Sequence, residues 1–181
     1  MFGWIGQLHT DKILGLHGGG NGSGVDVACR VMRLKEFFSP EATAFSLRGN
    51  SKDEILAEMV SLLRTDERSA GILLRILQRR ENLGSTGVGR GIAIPHGRSL
   101  VVSRLRLAFA RKPEGVDFQA IDGRPVYSLF LIVAPPLEIS NQYLPVLGRI
   151  AQFAKEPDVP DRLAALRSSE DFFRLLDEKG V

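Results

Sequence analysis

The residues with the greatest potential for chemistry lie in one short stretch, residues 84–98. Four glycines fall within residues 84–91, and Pro95, His96 and Gly97 follow them. Glycines let a backbone approach a ligand closely and turn its N–H groups inward, which is the arrangement of an anion-binding loop. Proline favours extended geometry at the residue before it, and a glycine leaves room beside the imidazole. The pattern therefore predicts that His96 is presented at a strand end beside an anion-binding loop.

A histidine in this setting can accept a phosphoryl group. A neutral imidazole is a competent nucleophile near pH 7, because its ordinary pKa of about 6.5 leaves it mostly deprotonated. Phosphoryl transfer also needs donors for the equatorial oxygens, and arginine, hydroxyl and backbone N–H groups supply such contacts. Arg80, Ser85 and Thr86 are candidates for these contacts. On the residues alone, the alternative of a packed or merely exposed His96 stays open.

Two nucleotide-binding motifs share parts of this stretch but do not fit it. A Walker loop has the form G-x-x-x-x-G-K-[ST]; Gly84 and Gly89 have that spacing, but Arg90 and Gly91 replace the lysine and the hydroxyl. A dinucleotide fingerprint, G-x-G-x-x-G, opens a helix. Here the glycines have a different spacing and lead into an extended segment. We therefore do not expect nucleotide binding.

The composition is that of one ordinary globular domain. The chain has 181 residues, 24 basic against 21 acidic side chains, one cysteine and three histidines. A single cysteine and scattered histidines exclude a structural zinc site. The longest apolar run, residues 129–137, is far shorter than the ~20 residues of a membrane-spanning helix. The basic residues form no nucleic-acid-binding cluster and the N-terminus has no secretory signal, so we expect a cytoplasmic protein without nucleic acid or membrane insertion.

Glycine is concentrated near the N-terminus. Residues 1–31 contain eight of the 19 glycines, and six of these eight lie in residues 15–24. Such a run has much backbone entropy to lose and almost no side chain to bury. We therefore interpret residues 1–31 as a flexible extension, or as sequence that arises from the choice of start site or from cloning. Residues 32–181 are then the functional domain.

Alternating helical and extended patterns must position His96. Ser51 and Glu54 form a capping box that opens an amphipathic helix over about residues 52–64. A second helix is predicted to begin after Asp66 or Ser69 and to end at Arg80. A third is predicted from Tyr143, with Pro145 in its first turn. Two short helices are predicted near 158–166 and 169–179. The predicted strands are 92–94, 104–110 and 129–133. Strands and helices alternate through one core, which predicts a single α/β domain.

One long motif connects these features to a known family. Residues 80–97, RENLGSTGVGRGIAIPHG, resemble the active-site signature of the fructose/mannitol-type enzyme IIA domains of the bacterial phosphoenolpyruvate-dependent phosphotransferase system. The motif is most similar to the nitrogen-regulatory enzyme IIA branch. Weaker resemblance extends from Leu34 to Asp177 and includes FQAIDGRPV at residues 118–126. It does not cover residues 1–31.

The resemblance implies a fold, a phosphoryl acceptor and a donor protein. The fold would be an α/β domain with a mixed central β-sheet flanked by helices. His96 would be phosphorylated by a phosphocarrier protein resembling HPr, and Arg80, Ser85 and Thr86 would stabilise the phosphoryl group. Neither a metal nor another cofactor would be needed. Contacts to the phosphoryl group or to the residues that hold it are expected from Gly87, Gly89, Arg98 and Tyr143, with partner docking as the alternative role of Arg98.

Tyr143 is a departure from the family pattern. Many members of the family have a second histidine here, at the start of the helix beside the site. A tyrosine hydroxyl can still donate a hydrogen bond to phosphate, but it carries no titratable positive charge near pH 7. We hypothesise that Tyr143 weakens the pH dependence of the site without abolishing phosphorylation.

Two functions are compatible with the resemblance. In the first, the domain is a freestanding regulator whose phosphorylation adds a charge of about −1.5 to −2 and so alters docking to proteins such as sensor kinases or potassium transporters. In the second, His96 passes its phosphoryl group to an enzyme IIB protein for uptake of a fructose- or mannitol-class sugar. The lack of a transmembrane segment and of room for a fused IIB domain favours the regulator. A non-catalytic anion-binding domain is a distant alternative.

Overall fold

The structure, a computed structural model, describes residues 33–137 and 139–181, so the predicted extension, residues 1–31, lies outside the described residues. The described residues contain six strands, β1 to β6: Thr43–Ala44, Gly87–Gly89, Ile92–Ala93, His96–Arg98, Arg106–Val116 and Val126–Ala134. They also contain five α-helices, α1 to α5: Lys52–Ser61, Glu67–Asn82, Tyr143–Lys155, Val159–Ala165 and Ser169–Glu178. No helix in these ranges is both long enough and apolar enough to cross a bilayer.

The strands form one mixed sheet with β6 at its centre. Strand β6 pairs antiparallel with β5 on one side and parallel with both β3 and β4 on the other. Strand β1 joins β5 in parallel, and β2 joins β3 antiparallel. The order across the sheet is β1-β5-β6-β3-β2, with β4 beside the second half of β6. The predicted α/β domain with a mixed central sheet flanked by helices is confirmed.

Helices cover both faces of this sheet. Because side chains alternate along a strand, Phe109 and Phe130 point to one face and Ala108 and Leu131 to the other. The two phenylalanines pack in a core with α3, α4 and α5, and the other two residues pack in a core with α1 and α2. Strand β6 is therefore buried on both faces, which explains why its sequence is almost continuously apolar.

The first two helices begin at caps that the sequence predicts. Ser51 and Glu54 make the reciprocal capping box of α1, and the Asp66 carboxylate accepts a hydrogen bond from the Ser69 amide at the start of α2. Helix α1 ends at Ser61, before the predicted boundary, because the next residues turn back and Arg64 adopts a positive φ of 50°. The caps therefore set where α1 and α2 begin.

Strand β5 is longer than the sequence predicts. The predicted strand over 104–110 begins instead at Arg106 and continues to Val116. It passes through Pro113 because the pairing with β6 is irregular between Arg111 and Val116, and a proline is tolerated where no regular N–H bond is required.

The predicted glycine loop over 84–91 contains a strand. Gly87–Gly89 forms β2 and pairs with β3, because Gly89 and Gly91 adopt positive φ angles of 89° and 77° and close a tight turn between the two strands. Glycine spacing alone does not distinguish such a hairpin from an open loop.

Gly87 packs so closely that a side chain does not fit. A Cβ atom at this position would lie 2.7 Å from the Ala120 Cβ and 2.8 Å from the Ala120 Cα. We expect Gly87→Ala to lower the free energy of unfolding by about 1–3 kcal/mol in urea denaturation. The control is Gly148→Ala in α3, where nothing lies within 4 Å and the better helix propensity of alanine adds up to ~1 kcal/mol. Equal stability of Gly87→Ala and the unmodified protein would contradict this packing.

Candidate functional site

His96 lies at a break in the strand that runs along one edge of β6. Strands β3 and β4 both pair with β6, and Pro95 separates them because it has no N–H to donate to the ladder. The Pro95 carbonyl still accepts a hydrogen bond from the Ile132 amide at 2.9 Å, so the chain stays on the sheet. At Gly97 a Cβ would lie 3.0 Å from Ile76 of α2, so this glycine allows α2 to pack over β4. At this break the imidazole lies beside Arg80, near the end of α2, and Tyr143, at the start of α3.

The two ring nitrogens of His96 have different partners. Nδ1 lies 2.6 Å from the Ile94 carbonyl, which can only accept a hydrogen bond, so Nδ1 carries the proton. Nε2 accepts a hydrogen bond from the Nε–H of Arg80 at 3.2 Å and is therefore unprotonated. This assignment, which rests on the hydrogen-bond network, leaves Nε2 as the nucleophilic nitrogen.

The surroundings of His96 keep the imidazole neutral. Burial is the largest effect and lowers its pKa below the ordinary value, and the positive charge of Arg80 lowers it further. The hydrogen bond to the Ile94 carbonyl and the negative charge of Glu81 oppose this shift. His96 is therefore available as a nucleophile at neutral pH and somewhat below it.

The depressed pKa predicts how His96 titrates. We expect the ring proton signals of His96 in an NMR pH titration to have a midpoint below the ~6.5 of a free histidine, with His96→Gln identifying the resonances. Because the unfolded chain binds this proton first, His96 has no effect on stability well above the ordinary pKa of ~6.5 and lowers stability as the pH falls from that value to the depressed pKa of the folded protein. A midpoint at or above the free value would contradict the described burial.

An open pocket of about 300 Å³ surrounds the imidazole. Its lining combines three arginines with small and apolar residues: Ile76, Arg79, Arg80, Leu83, His96, Gly97, Arg98 and Tyr143. No carboxylate lines it, and Tyr143 is the first residue of α3, so the positive end of that helix dipole lies beside the pocket. Within the described residues, no group of three His, Cys, Asp or Glu side chains is placed to hold a metal ion. The arrangement is suited to an anion.

Arg80 is held in place from both sides. It lies in the last turn of α2, where its Nη1 donates to the Gly84 carbonyl at 2.8 Å while its Nε donates to His96. The remaining N–H groups of the guanidinium stay available for an anion at Nε2. The structure therefore brings together the predicted pair Arg80 and His96.

Arg98 connects the site to the chain segment that follows β6. Its Nη1 donates to the Pro135 carbonyl at 2.8 Å and to the Ser140 carbonyl at 3.4 Å. Its guanidinium lies 4.4 Å from the centre of the Tyr143 ring, a cation–π contact. These contacts fix the start of α3 against β4, which is a supporting role in the site.

Tyr143 is a neighbour of His96. The two ring centres are 6.1 Å apart, with an angle of 55° between the ring planes. Burial raises the pKa of the Tyr143 hydroxyl, although the charges of Arg98 and Arg80 oppose the shift. The side chain is therefore neutral near pH 7 and can act as a hydrogen-bond donor but not as a cation.

The Ser85 and Thr86 hydroxyls are engaged elsewhere in the protein. Ser85 donates to the Phe118 carbonyl at 2.6 Å, and Thr86 donates to a Glu81 carboxylate oxygen at 2.6 Å. Neither residue lines the pocket at His96. Their contact with a phosphoryl group stays a prediction, and it requires these hydrogen bonds to be exchanged.

The glycines of the hairpin have structural contacts in the described residues. Gly87 packs on Ala120, and a Cβ at Gly89 would lie 3.2 Å from the Asp122 carboxylate. The Asp122 carboxylate also accepts the Arg90 amide at 2.8 Å. The hairpin therefore does direct a backbone amide, that of Arg90, to an anion, but this anion is the Asp122 side chain of the protein itself. Gly87 and Gly89 do not line the pocket, so their contact with phosphate also stays a prediction.

Glu81 is a buried residue near the site that the sequence pattern did not single out, as it did not single out Arg79 in the pocket lining. Its carboxylate is almost completely buried, accepts hydrogen bonds from the Thr86 amide and hydroxyl, and lies 3.1 Å from the Lys52 ammonium. These contacts tie the glycine hairpin to both helices of that layer. A signal was available: Leu73, Leu77 and Glu81 are spaced by four residues, which places the glutamate on the buried face of α2.

The comparisons with known proteins agree with this geometry. Residues 36–179 match the family model described as the phosphoenolpyruvate-dependent sugar phosphotransferase system, EIIA 2. A nitrogen regulatory protein from Bradyrhizobium diazoefficiens is 34% identical over 149 residues, which cover 80% of this chain and 95% of that protein. A fructose-specific EIIA component of the same system from Haloferax volcanii is 36% identical over 115 residues, which cover 64% of this chain and 73% of that protein.

A solved structure shows the same fold. The crystal structure of the nitrogen regulatory protein IIA-Ntr from Neisseria meningitidis superposes with a TM-score of 0.73 at 32% identity and covers 79% of this chain and 98% of that one. The resemblance inferred from residues 80–97 is thereby confirmed along the length of the domain. This chain belongs to the type-2 EIIA family of the phosphoenolpyruvate-dependent phosphotransferase system and is a phosphotransfer component of that system.

Proposed function

We propose that this protein is a regulatory enzyme IIA whose His96 accepts a phosphoryl group from an HPr-like phosphocarrier. The observation that carries the proposal is the pair of hydrogen bonds at the imidazole. The Ile94 carbonyl holds the proton on Nδ1, and Arg80 marks Nε2 as the nitrogen with a free electron pair. Both bonds are geometric features of the site and do not depend on the identity of any relative.

The transfer is a displacement at phosphorus between two histidines. The P–N bond of the donor phosphohistidine breaks while a new P–N bond to Nε2 of His96 forms, with the two nitrogens in line. The donor imidazole leaves with the electron pair of the broken bond. The proton on Nδ1 of His96 stays in place, because the Ile94 carbonyl continues to accept it.

The charges at the pocket favour the product. Arg79, Arg80 and Arg98 line it together with the positive end of α3, so negative charge on the transferred group is stabilised. When Nε2 becomes bonded to phosphorus, the Arg80 Nε–H loses its acceptor there and can donate to a phosphoryl oxygen instead. The Arg80 guanidinium can thus donate to Nε2 in the free protein and to the phosphoryl group in the phosphorylated protein.

The surface beside the pocket suits a protein donor. Leu83 lines the pocket and Leu144 follows Tyr143, and these leucines are 82% and 64% exposed. Eight large apolar side chains are exposed in residues 33–137 and 139–181, and five of them lie in segments that adjoin the site: Leu83, Leu100, Leu137, Ile139 and Leu144. Exposed apolar residues next to a polar pocket are typical of a surface that binds another protein.

Regulation is the function that the relatives favour over sugar uptake. The nitrogen regulatory protein from Bradyrhizobium diazoefficiens is matched over 95% of its length, and the fructose-specific protein from Haloferax volcanii over 73%. Phosphorylation places a doubly negative phosphoryl group at the docking surface, while the ring that keeps its Nδ1 proton becomes positive, so the net change is a charge of about −1. A change of this kind alters which partners bind. Sensor kinases and potassium transporters are the classes of regulated partner to be tested. Because the proposed phosphocarrier acts in the cytoplasm, we expect this protein there as well.

A reconstituted relay tests the proposal. Incubation with labelled phosphoenolpyruvate, enzyme I and the phosphocarrier is expected to give acid-labile, base-stable label on this protein. Failure to label would overturn the proposal. Vesicles that contain an enzyme IIB and sugar permease then separate the two functions, because net transfer of label to sugar supports the transport alternative and retention of label supports regulation.

Tyr143 is expected to stabilise phosphorylated His96 through its hydroxyl. We expect Tyr143→Phe to be phosphorylated but to lose its phosphoryl group by hydrolysis about fivefold faster, because one hydrogen bond contributes about 1 kcal/mol. The measurement is the half-life of the label, and Tyr127→Phe is the control because Tyr127 is the other tyrosine of the chain and lies on β6. Unchanged half-lives would remove Tyr143 from the site.

A further inference from the structure

A second pocket of about 720 Å³ lies between the sheet and α4, away from the site at His96. Its floor includes Ser128 near the start of β6, whereas His96 pairs with Ile132 further along the same strand. Four residues of strand correspond to about 13 Å. The volume is within the range of pockets that bind small organic molecules. This pocket has its own set of side chains and shares none with the pocket at His96.

Arg111 is the unusual residue of this pocket. It lies on β5, on the same face of the sheet as Phe109, and its Nη1 donates to the Leu166 carbonyl at the end of α4. Its Nε atom is buried and has no hydrogen-bond partner in the described residues. An unpaired buried N–H costs free energy, and such a group in a native protein calls for an acceptor. The Arg111 guanidinium therefore has hydrogen-bonding capacity that the described residues do not use.

The pocket also carries positive charge that no salt bridge of the described residues neutralises. Arg90, Arg111 and Arg124 line it, and none of the three lies within ion-pair distance of a carboxylate of the described residues. The Arg90 guanidinium donates to three carbonyls at the end of α3, where the negative end of the helix dipole offsets part of its charge, but it has no carboxylate partner in the described residues. Against these three cations the lining contains a single acid, Asp161. The pocket therefore attracts an anion.

The remaining lining defines the kind of anion. The Tyr127 and Ser128 hydroxyls make no hydrogen bond within the described residues, so both can contact a ligand. Ile92, Pro125 and Pro160 supply apolar walls. A guanidinium fork matches the planar oxygens of a carboxylate and also those of a phosphate.

We propose that this pocket binds a small organic anion, a carboxylate or a phosphate on an apolar or aromatic body. The anionic group lies between the guanidinium groups of Arg111 and Arg124, and the body lies against the prolines and the Tyr127 ring. Binding requires neither His96 nor its phosphorylation. It is therefore independent of the proposed phosphoryl transfer, and the two can fail separately.

The test uses probes that differ only in their polar group. Benzoate and phenyl phosphate present the two anionic groups on one aromatic ring, and benzamide is the neutral control. The full-length protein is labelled with ¹⁵N and titrated with each probe, while the Arg111 Nε–H and Ser128 amide signals are followed by NMR. We expect saturable shifts of both signals with at least one anion and none with benzamide. The anion that binds more tightly identifies the natural head group.

Variants assign the binding to the pocket. Arg124→Gln removes an exposed cation, and Arg111→Lys keeps the charge but removes the Nε donor; each is expected to raise the Kd about tenfold. Arg75→Gln, an exposed position on α2, and His96→Ala are expected to leave the Kd unchanged. The proposal is overturned if neither anion gives saturable shifts, if the shifts map to Arg80 and His96, or if Arg75→Gln weakens binding as much as Arg124→Gln.

Discussion

Replacing His96 by alanine is expected to remove all acid-labile phosphoryl label from the protein. His96 is the only histidine in residues 33–181, and its Nε2 is the one imidazole nitrogen that the described structure leaves unprotonated beside an arginine. Without that nitrogen no P–N bond can form at the site. The measurement is label transferred from phosphoenolpyruvate through enzyme I and the phosphocarrier, resolved on a denaturing gel.

Two controls accompany this experiment. His9→Ala and His17→Ala remove the other two histidines of the chain, which belong to the predicted extension, and both variants are expected to label fully. Circular dichroism and thermal unfolding show whether His96→Ala keeps its fold. Label that persists on a folded His96→Ala protein would place the phosphoryl acceptor elsewhere.

Arg80→Gln is expected to slow phosphoryl acceptance by about 100- to 1000-fold, the cost of removing one preorganised donor from a transition state. The guanidinium is anchored to the Gly84 carbonyl and donates directly to Nε2, so it is aligned before the phosphoryl group arrives. Arg80→Lys restores the charge without the planar fork and should give an intermediate rate. Rapid-quench measurement of single-turnover labelling resolves these rates.

The matched control for Arg80 is its neighbour Arg79. Both arginines line the same pocket, but only Arg80 has a hydrogen bond to His96. If Arg79→Gln slows labelling as much as Arg80→Gln, the effect comes from the general positive field and not from the direct contact. Arg80→Gln is also expected to raise the pKa of His96, because the Arg80 charge is one of the causes that lower it.

Much of the fold could be predicted from local sequence. The capping box at Ser51 and Glu54, the Asp66 cap and the apolar run of β6 each depend on residues close together in the chain, and the structure confirms them. The extent of β5 could not be predicted in this way. It depends on how far β6 runs beside it, which is a long-range property.

In the candidate site, too, some features could be predicted from local sequence and others could not. Residues 80–97 were sufficient to identify His96 and Arg80 as a pair and to indicate the family, because their types and spacing form one continuous motif. Glu81 could have been found from its spacing on the buried face of α2. The hydrogen bond from Ser85 to the Phe118 carbonyl could not have been found from the sequence, because these residues are 33 positions apart along the chain.

The sequence by itself thus determined the α/β class and singled out His96, the proposed acceptor, together with Arg80, because the periodicity of the chain and one continuous motif are properties of nearby residues. The tertiary structure alone decided which nitrogen of His96 is free, because the Ile94 carbonyl and Arg80 reach the ring only when α2 packs on β4. It also decided that Arg111 reaches the end of α4, 55 residues away along the chain, with a buried Nε that has no partner among the described residues. Side-chain directions and charge neighbourhoods depend on contacts between distant segments, and a linear pattern does not contain them.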